Sequence, residues 1–219
     1  MNMFLNTVRV LVCSLVFPVS YLFSQNTSKL HENNAIPPLE HAYFASGCFW
    51  CVEVIFESLV GVTCAESGYA GGHVKNPTYK QVSKGSTGHS ETVHVIFNPK
   101  IISYQTLVDV YYATQDPTTF GQSPDIGTPY RSMIFTTSDE QHQIVSCTKK
   151  KLQRSYSKKI LTEIKDFEHF WKAEAYHQDF ERRNPNHPYV KRVSKRRFHR
   201  FAKLFPHLIK KEYLPTDLH

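Results

Sequence analysis

Two cysteines three positions apart, Cys48 and Cys51, are the residues whose type and spacing point most directly to chemistry. They follow a short apolar run, Tyr43-Phe44-Ala45, that is typical of a strand, and they open a helical pattern. The N-terminus of a helix carries partial positive charge and unpaired N–H groups, which favour a thiolate over a thiol. Because the thiolate is the nucleophilic form of cysteine, the segment predicts a reactive sulfur at Cys48.

Three other interpretations suit the same cysteines. Cys48, Val52, Ile55 and Leu59 share one helical face, which is also the pattern of an ordinary buried core. A Cys-x-x-Cys pair further suits a thioredoxin-like redox pair or half of a zinc site. Zinc needs a second ligand pair, and the sequence has neither a second Cys-x-x-Cys nor a His-x-x-x-His, so no metal site is predicted.

Strands and helices alternate around this segment and must hold it in place. The predicted order is a strand ending at residue 45, a helix to about residue 59, strands over 62–69 and 91–97, a helix from residue 104, a strand over 131–137, a helix over 138–156 and a strand over 160–167. Two loops, residues 73–90 and 117–130, interrupt this order. It predicts an α/β (α+β) domain, a two-layer sandwich of a mixed sheet with packed helices.

The first residues differ from the rest in composition. Arg9 precedes a mostly apolar run over residues 10–23, which is short for a membrane-spanning helix and typical of a secretory signal peptide. We expect residues 1–24 to be a signal peptide or membrane anchor, and the polar, proline-broken residues 25–40 to be a linker. This predicts export to the periplasm or cell envelope; a mis-chosen start codon, and hence a cytoplasmic protein, is the alternative.

Length and composition set further bounds. The 219 residues suffice for one full-sized domain, 41% hydrophobic and 21% charged residues are typical of a globular protein, and five irregularly placed cysteines do not make a disulfide scaffold. The net charge is +7, and residues 191–219 alone carry nine Lys/Arg and two acidic residues. We expect residues 189–219 to be a basic tail, either a solvated face or a contact for an anionic surface. Part of it has the spacing of an amphipathic helix, at Phe198, Phe201, Leu204, Phe205 and Leu208.

Six short motifs, taken in order, resemble the A-type peptide methionine sulfoxide reductases. Gly47-Cys48-Phe49-Trp50 is similar to the signature of that family, and five further matches follow in the order that the family shows. They are Gly68-Tyr69-Ala70-Gly71-Gly72, Asn76-Pro77-Thr78-Tyr79, Gly88-His89-Ser90-Glu91, Gly127-Thr128-x-Tyr130-Arg131-Ser132 and Tyr176-His177-Gln178. The resemblance covers residues 41–188 and implies the ferredoxin-like fold of that family for them. We assign no chemistry to His177 or Gln178.

The resemblance implies which groups do the chemistry. Reduction of a methionine sulfoxide needs a soft nucleophile for its sulfur and a proton for its departing oxygen. Cys48 is implied to be the nucleophile and Glu91 the proton donor. The second role requires a carboxyl group that burial keeps protonated near neutral pH. Without the resemblance, Glu91 is typical of an exposed carboxylate at the start of a strand.

Further residues are implied to shape the pocket. Phe49 and Trp50 would form an apolar wall for the methyl group of the substrate, although ordinary core aromatics give the same pattern. Tyr79 and Tyr130 lie in the two loops, and the family uses similar hydroxyl groups to hold the sulfoxide oxygen. Asp125 matches a family position that helps to order the pocket.

The attack would leave Cys48 as a sulfenic acid, which is normally returned to the thiol through a disulfide. Many family members have glycine where this sequence has Cys51 and place recycling cysteines in a C-terminal tail, but here no cysteine follows Cys147. We expect Cys51 to be the resolving cysteine, and Cys64 and Cys147 to be buried and inert. Direct reduction of the sulfenic acid by an external thiol stays open.

The resemblance therefore implies an enzyme that reduces the S epimer of free or protein-bound methionine sulfoxide and so repairs oxidised proteins. Its electrons would come from thioredoxin or a comparable dithiol, with no metal or organic cofactor, and we expect a monomer. One alternative is a thiol–disulfide oxidoreductase that uses Cys48 and Cys51 and has no need of Glu91. The other is a basic binding module with a degenerate reductase domain.

Overall fold

The computed structural model of this chain describes residues 38–215. Six strands form one mixed sheet in the order β7-β6-β1-β3-β2-β8, in which β6 and β7 are parallel and the other neighbours antiparallel. A separate pair joins β4 to β5. The strands are β1 (Glu40–Ala45), β2 (Val62–Ala70), β3 (Ser90–Phe97), β4 (Gly121–Gln122), β5 (Asp125–Ile126), β6 (Met133–Thr136), β7 (Glu163–Asp166) and β8 (Phe170–Lys172).

Helices pack against this sheet, which confirms the predicted α/β class. The α-helices of the described residues are α1 (Phe49–Glu57), α2 (Tyr79–Val82), α3 (Tyr104–Ala113), α4 (Asp139–Gln153), α5 (Phe180–Arg183) and α6 (Lys195–Leu204). A π-helical turn, Val190–Ser194, leads into α6, and short 3-10 turns lie at Thr128–Tyr130, Pro206–Leu208 and Lys211–Tyr213. Helix α1 packs on β2 and β3, and α3 packs on α4.

The local sequence explains the elements nearest the cysteines. Strand β3 buries Val93, Val95 and Phe97, as its alternating pattern predicted. Helix α4 begins where predicted, because the Ser138 hydroxyl accepts a hydrogen bond of 3.2 Å from the N–H of Gln141. Such caps satisfy N–H groups that the helix itself leaves unpaired.

The turn before α1 requires glycine. Gly47 has a φ of +82°, and a Cβ atom at this position would lie 3.0 Å from the Cβ of Gln122. The next residue, Cys48, has φ −59° and ψ 124°, and the helix starts directly after it. Gly61, with φ +94°, lies beyond the end of α1, as predicted. The turn therefore places Cys48 at the N-cap, directly before the first helical residue.

The C-terminal segment belongs to the domain, which corrects the predicted boundary at residue 188. Phe201 on α6 is fully buried in the main hydrophobic core, and Ile209 forms a β-bridge with Leu59. Arg197 is also buried, and its guanidinium donates hydrogen bonds to Ser46 and to Thr114. The many basic residues suggested a solvated tail, but the apolar residues between them bury one face of the segment.

The two N-terminal predictions fall largely outside the structure. The predicted signal peptide or anchor, residues 1–24, and most of the predicted linker, residues 25–40, lie outside the described residues. Between residues 38 and 215, no helix is both long enough and apolar enough to cross a bilayer. Export therefore stays a prediction.

Candidate active site

Cys48 stands at the N-terminus of α1, as predicted, and its side chain is almost buried. The Cys48 side chain itself forms no capping hydrogen bond with this end of the helix. The first helical N–H, that of Phe49, donates a hydrogen bond of 2.9 Å to Oε2 of Glu91. The acid predicted to act with Cys48 is thus bonded to the residue that follows it, although the two are far apart in the sequence.

Glu91 lies in β3 opposite Tyr69 of β2, and only 2% of its surface is exposed. Burial raises the pKa of its carboxyl group to about 8, even though the hydrogen bond from Phe49 acts in the opposite direction. Nearby Asp125 and Cys51 add to the increase. The carboxyl group therefore holds a proton at neutral pH, which is the state that a proton donor needs.

Cys48 and Cys51 are both free thiols, and they share a hydrogen bond. Burial raises the pKa of Cys48 well above its ordinary value, and the bond to Cys51 and the nearness of Glu91 add to the effect. The same bond lowers the pKa of Cys51 to about 6, with a further contribution from Arg197. Both shifts make Cys51 the more acidic thiol of the pair, whereas the sequence argument favoured a thiolate at Cys48. Burial is the largest cause of the raised pKa of Cys48. In addition, the first helical N–H, which could have stabilised a Cys48 thiolate, is bonded to Glu91.

Cys51 is held by residues beyond the predicted domain boundary. Its Sγ lies 3.0 Å from Oγ of Ser194 and 3.8 Å from the hydroxyl of Tyr189. The Tyr189 hydroxyl in turn donates a hydrogen bond to Oδ2 of Asp125. Burial raises the pKa of the Asp125 carboxyl group. Asp125 is thus connected to the cysteine pair through Tyr189.

The two predicted tyrosines meet although they come from different loops. Tyr79 and Tyr130 share a hydrogen bond, and both are half-buried. Burial raises the pKa of Tyr79 to about 12 and also raises the pKa of Tyr130, with Glu91 adding to both shifts. Both hydroxyl groups therefore stay protonated and can donate hydrogen bonds to an oxygen atom. Glu174 fixes the start of α2, because its carboxylate accepts 2.8 Å hydrogen bonds from the Tyr79 N–H and the Tyr69 hydroxyl.

Phe49 and Trp50 are part of an aromatic cluster beside the cysteines. The ring of Phe49 is buried, with its centroid 4.9 Å from that of His177. Trp50 is half-buried, stacks on Phe180 at 3.6 Å between centroids, and donates its indole N–H to Nδ1 of His177 at 3.1 Å. Burial lowers the pKa of His177 to about 4, so this imidazole is neutral and can accept the bond.

Sequence reasoning missed four residues that support the site. Tyr189 and Ser194 contact Cys51, but they lie beyond residue 188, where the predicted domain ends. Glu174 lies two residues before the Tyr176-His177-Gln178 motif, which could have drawn attention to it. His177 belongs to that motif and received no role, yet it orients Trp50. Gln178 is structural, because its amide bonds the backbone of Ser67 in both directions.

The other two described cysteines take no part in the site. Cys147 is exposed, so the prediction that it is buried is wrong, and Cys64 is partly exposed. Cys147 is exposed because α4 buries Gln141, Val145 and Thr148, and Cys147 is not on that buried face. Across residues 38–215, no cluster of three or more His, Cys, Asp or Glu side chains is arranged to hold a metal ion.

Comparisons with known proteins agree with this geometry. The sequence model of the family described as "Peptide methionine sulfoxide reductase" matches residues 40–208. The peptide methionine sulfoxide reductase MsrA of Saccharolobus solfataricus is 40% identical over 173 residues, covering 78% of this chain and 98% of the relative. MsrA of Streptococcus agalactiae strain NEM316 is 51% identical over 150 residues, which cover 67% of this chain and 89% of the relative.

Solved structures are similar in fold as well. Reduced Mxr1 from Saccharomyces cerevisiae is 33% identical, with a TM-score of 0.63, over 68% of this chain and 87% of that protein. Methionine sulfoxide reductase A of Corynebacterium diphtheriae gives a TM-score of 0.62 at 33% identity, over 68% of this chain and 76% of that protein. Together with the match over residues 40–208, which includes Cys48, Glu91 and Ser194, these similarities show that the chain belongs to the peptide methionine sulfoxide reductase family.

Proposed function

We propose that this chain reduces the S epimer of methionine sulfoxide, free or protein-bound, with Cys48 as the nucleophile and Glu91 as the proton donor. One observation carries the assignment. The 2.9 Å hydrogen bond between Phe49 and Glu91 puts a buried, protonated carboxyl group at the helix end where Cys48 lies. A thiol–disulfide oxidoreductase has no use for such an acid, so this contact favours the reductase over that alternative.

In the first step, the Cys48 sulfur attacks the sulfoxide sulfur and Glu91 gives its proton to the sulfoxide oxygen. Cys51, whose pKa is lowered by its contact with Cys48, would act as a thiolate and take the Cys48 proton. The sulfur–oxygen bond of the substrate then breaks, and the oxygen passes to Cys48. The substrate leaves as a thioether, reduced by two electrons, and Cys48 becomes a sulfenic acid, oxidised by two.

The pocket residues would position the substrate for this step. The protonated hydroxyls of Tyr79 and Tyr130 can donate to the sulfoxide oxygen. Phe49 and Trp50 offer an apolar wall that prefers a methyl group to water. Asp125 would order the pocket from the cysteine side, through its bond with Tyr189.

Recycling would follow through Cys51. Its sulfur attacks the sulfenic sulfur of Cys48, a disulfide forms and water leaves. A thioredoxin-type dithiol would then reduce this disulfide and be oxidised itself. The whole cycle balances with thiols alone, so we propose no metal or organic cofactor.

A single-turnover experiment tests the proposal. The reduced protein is mixed with one equivalent of an S-configured methyl sulfoxide and analysed by mass spectrometry. We expect one equivalent of thioether and a protein lighter by two hydrogens, with a bridge between Cys48 and Cys51. Cys48→Ser should give no thioether, and turnover by this variant would refute the assignment. A sulfenic acid that persists in the intact protein would refute the role of Cys51.

We also propose export, on the composition of residues 1–24. The oxidants that damage proteins would reach the enzyme's substrates first in that compartment. Fractionation of cells followed by sequencing of the mature N-terminus tests this. An intact Met1 on protein from the cytosolic fraction would contradict it.

A further inference from the structure

A small cavity on the Cys51 side of the site has no part in the reaction described so far. It has a volume of about 240 Å³, and Cys51 is one of its lining residues. Cys48, Glu91 and the two tyrosines of the substrate pocket do not line it. We call it the arginine cavity, because its charged lining consists of four arginines and one aspartate: Arg192, Arg196, Arg197, Arg200 and Asp125.

Two of these five charges are already engaged. Arg197 is buried, and its guanidinium donates to the Thr114 carbonyl at 2.8 Å, to the Ser46 carbonyl at 2.8 Å and to the Ser46 hydroxyl at 2.9 Å. Asp125 accepts the hydroxyl of Tyr189 and lies close enough to Arg197 to feel its charge. The engaged pair is therefore neutral overall, and the other three arginines have no carboxylate partner in the cavity lining.

Those three arginines are exposed and face the same cavity. Arg192, Arg196 and Arg200 follow one another at intervals of four residues, and none of them forms an ion pair with an acid between residues 38 and 215. Like charges at this spacing destabilise a helix. The arrangement is therefore unfavourable for stability alone, and it suits the binding of an anion. Guanidinium groups bind carboxylates in particular, with two parallel hydrogen bonds each.

The size and the position of the cavity indicate what kind of anion fits. Its volume lies below the roughly 300–1,000 Å³ of pockets for drug-sized ligands. Cys51 is buried, with 2% of its surface exposed, and it lines this cavity. A protein surface is too large to enter, whereas a small molecule with carboxylate groups and a thiol would place its sulfur beside that of Cys51.

We propose that the arginine cavity binds the carboxylates of a small anionic thiol, which then reduces the Cys48–Cys51 disulfide by attack on Cys51. The thiolate forms a bond to the Cys51 sulfur, the Cys48–Cys51 bond breaks, and Cys48 leaves with the electron pair and takes a proton. A second thiol molecule attacks the mixed disulfide and releases Cys51. Two thiols thus become one disulfide while the enzyme gains two electrons. This route rests on the proposed function and would operate beside the protein dithiol.

The test measures the second-order rate constant for reduction of the oxidised enzyme by three small thiols: mercaptosuccinate (anionic), 2-mercaptoethanol (neutral) and cysteamine (cationic). In the variant Arg192→Gln/Arg196→Gln/Arg200→Gln, the constant for mercaptosuccinate should fall at least about tenfold, as expected when a local field no longer concentrates an anion. The constant for 2-mercaptoethanol should change less than twofold. Succinate, which has the carboxylates and lacks the thiol, should inhibit mercaptosuccinate in the wild type only.

A matched control separates this local effect from net charge. Lys150→Gln/Lys151→Gln/Arg154→Gln removes three exposed charges at the end of α4 and should leave all three constants unchanged. Thermal unfolding and single-turnover thioether formation report whether each variant is folded.

Three results would overturn the proposal. The first is an equal fall of the rate constant for all three thiols. The second is an equal fall of the mercaptosuccinate rate constant in both triple variants. The third is a loss confined to thioredoxin-coupled turnover, which would assign the arginines to a protein reductant instead. An enzyme that forms thioether but no Cys48–Cys51 disulfide would refute the recycling step itself, and mass spectrometry recognises that failure before any thiol is added.

Discussion

Glu91 owes its protonated state to its surroundings. An ordinary glutamic acid is ionised at neutral pH, but β3 places this one among buried residues, where water cannot stabilise its charge. The N–H of Phe49 favours the charged form and does not outweigh the loss of water. The side chain of Glu91 is the proposed proton donor, and the backbone N–H of Phe49 holds it at the start of the helix.

The first prediction concerns this proton. Glu91→Gln keeps an acceptor for the Phe49 N–H but has no acidic proton, so single-turnover thioether formation should slow by about 10²–10⁴-fold, with little change in substrate affinity. Rapid-quench kinetics over a range of sulfoxide concentrations measures both quantities. The exposed Glu140→Gln on α4 is the control and should react like the wild type. A Glu91→Gln enzyme that keeps its full rate would remove Glu91 from the chemistry.

The second prediction concerns stability against pH. Glu91 has a folded-state pKa of about 8, above its ordinary value, so its contribution to stability is complete below the ordinary pKa and is lost as pH rises through 8. The amide that Glu91→Gln introduces does not titrate. The variant should therefore gain about 2–4 kcal/mol of unfolding free energy relative to the wild type between pH 5 and pH 9. Urea unfolding at both pH values measures this, and a constant difference would contradict the burial of a neutral acid.

The cysteine pair shows why residue-level chemistry was only partly predictable. The sequence placed Cys48 correctly at a helix start, and the general effect of helix ends then suggested a thiolate there. The first N–H of the helix, however, donates its hydrogen bond to Glu91 on β3. No local sequence pattern indicates that contact, because the two residues are far apart in the sequence. The lowered pKa of Cys51 depends in the same way on Cys48, Arg197 and Ser194, which the fold brings together.

At the scale of elements, α1 is supported from two sides. The sheet lies on one side through β2 and β3, and the C-terminal segment with α6 packs against it on the other. Periodicity and capping residues predicted α1, α3, α4 and most of the central strands close to their observed bounds. Strand β8 escaped prediction because three residues, Phe170–Lys172, are too few to show an alternating pattern.

The third prediction tests whether α6 is a core helix. Phe201 is fully buried and Leu204, on the same helix, is 58% exposed. Phe201→Ala should cost about 3–5 kcal/mol of unfolding free energy because it leaves a cavity in the core. Leu204→Ala serves as the matched control and should change the unfolding free energy by less than about 0.5 kcal/mol. Similar values for the two variants would show that α6 is a loosely attached tail after all.

At the scale of the whole molecule, the proposed proton donor Glu91 and the exposed arginines lie on two sides of the cysteine pair. Cys48 lies next to the hydrogen bond between Phe49 and Glu91, where the substrate is expected. Cys51 faces the arginine cavity. The excess of basic residues in the last part of the sequence was visible from composition. Their location beside Cys51 was not, because it depends on how residues 189–215 fold back over α1.

The fourth prediction follows from that arrangement. Deletion of residues 191–219 removes Ser194, Arg197 and Phe201 together, so it should unfold the domain or abolish thioether formation. A tail outside the domain would have been dispensable. Circular dichroism and single-turnover assays of the shortened protein measure both properties. A truncated protein with normal melting and normal activity would restore the boundary at residue 188.

The hydrogen bond between Ser194 and Cys51 has a consequence for protein synthesis. A ribosome adds Cys48 and Cys51 more than a hundred residues before Ser194, and it encloses the most recent stretch of chain in its exit tunnel. The nascent polypeptide therefore carries both sulfurs before it has the groups that tune them. Their reactivity would therefore be set only once residues 189–215 have been made and have packed against α1.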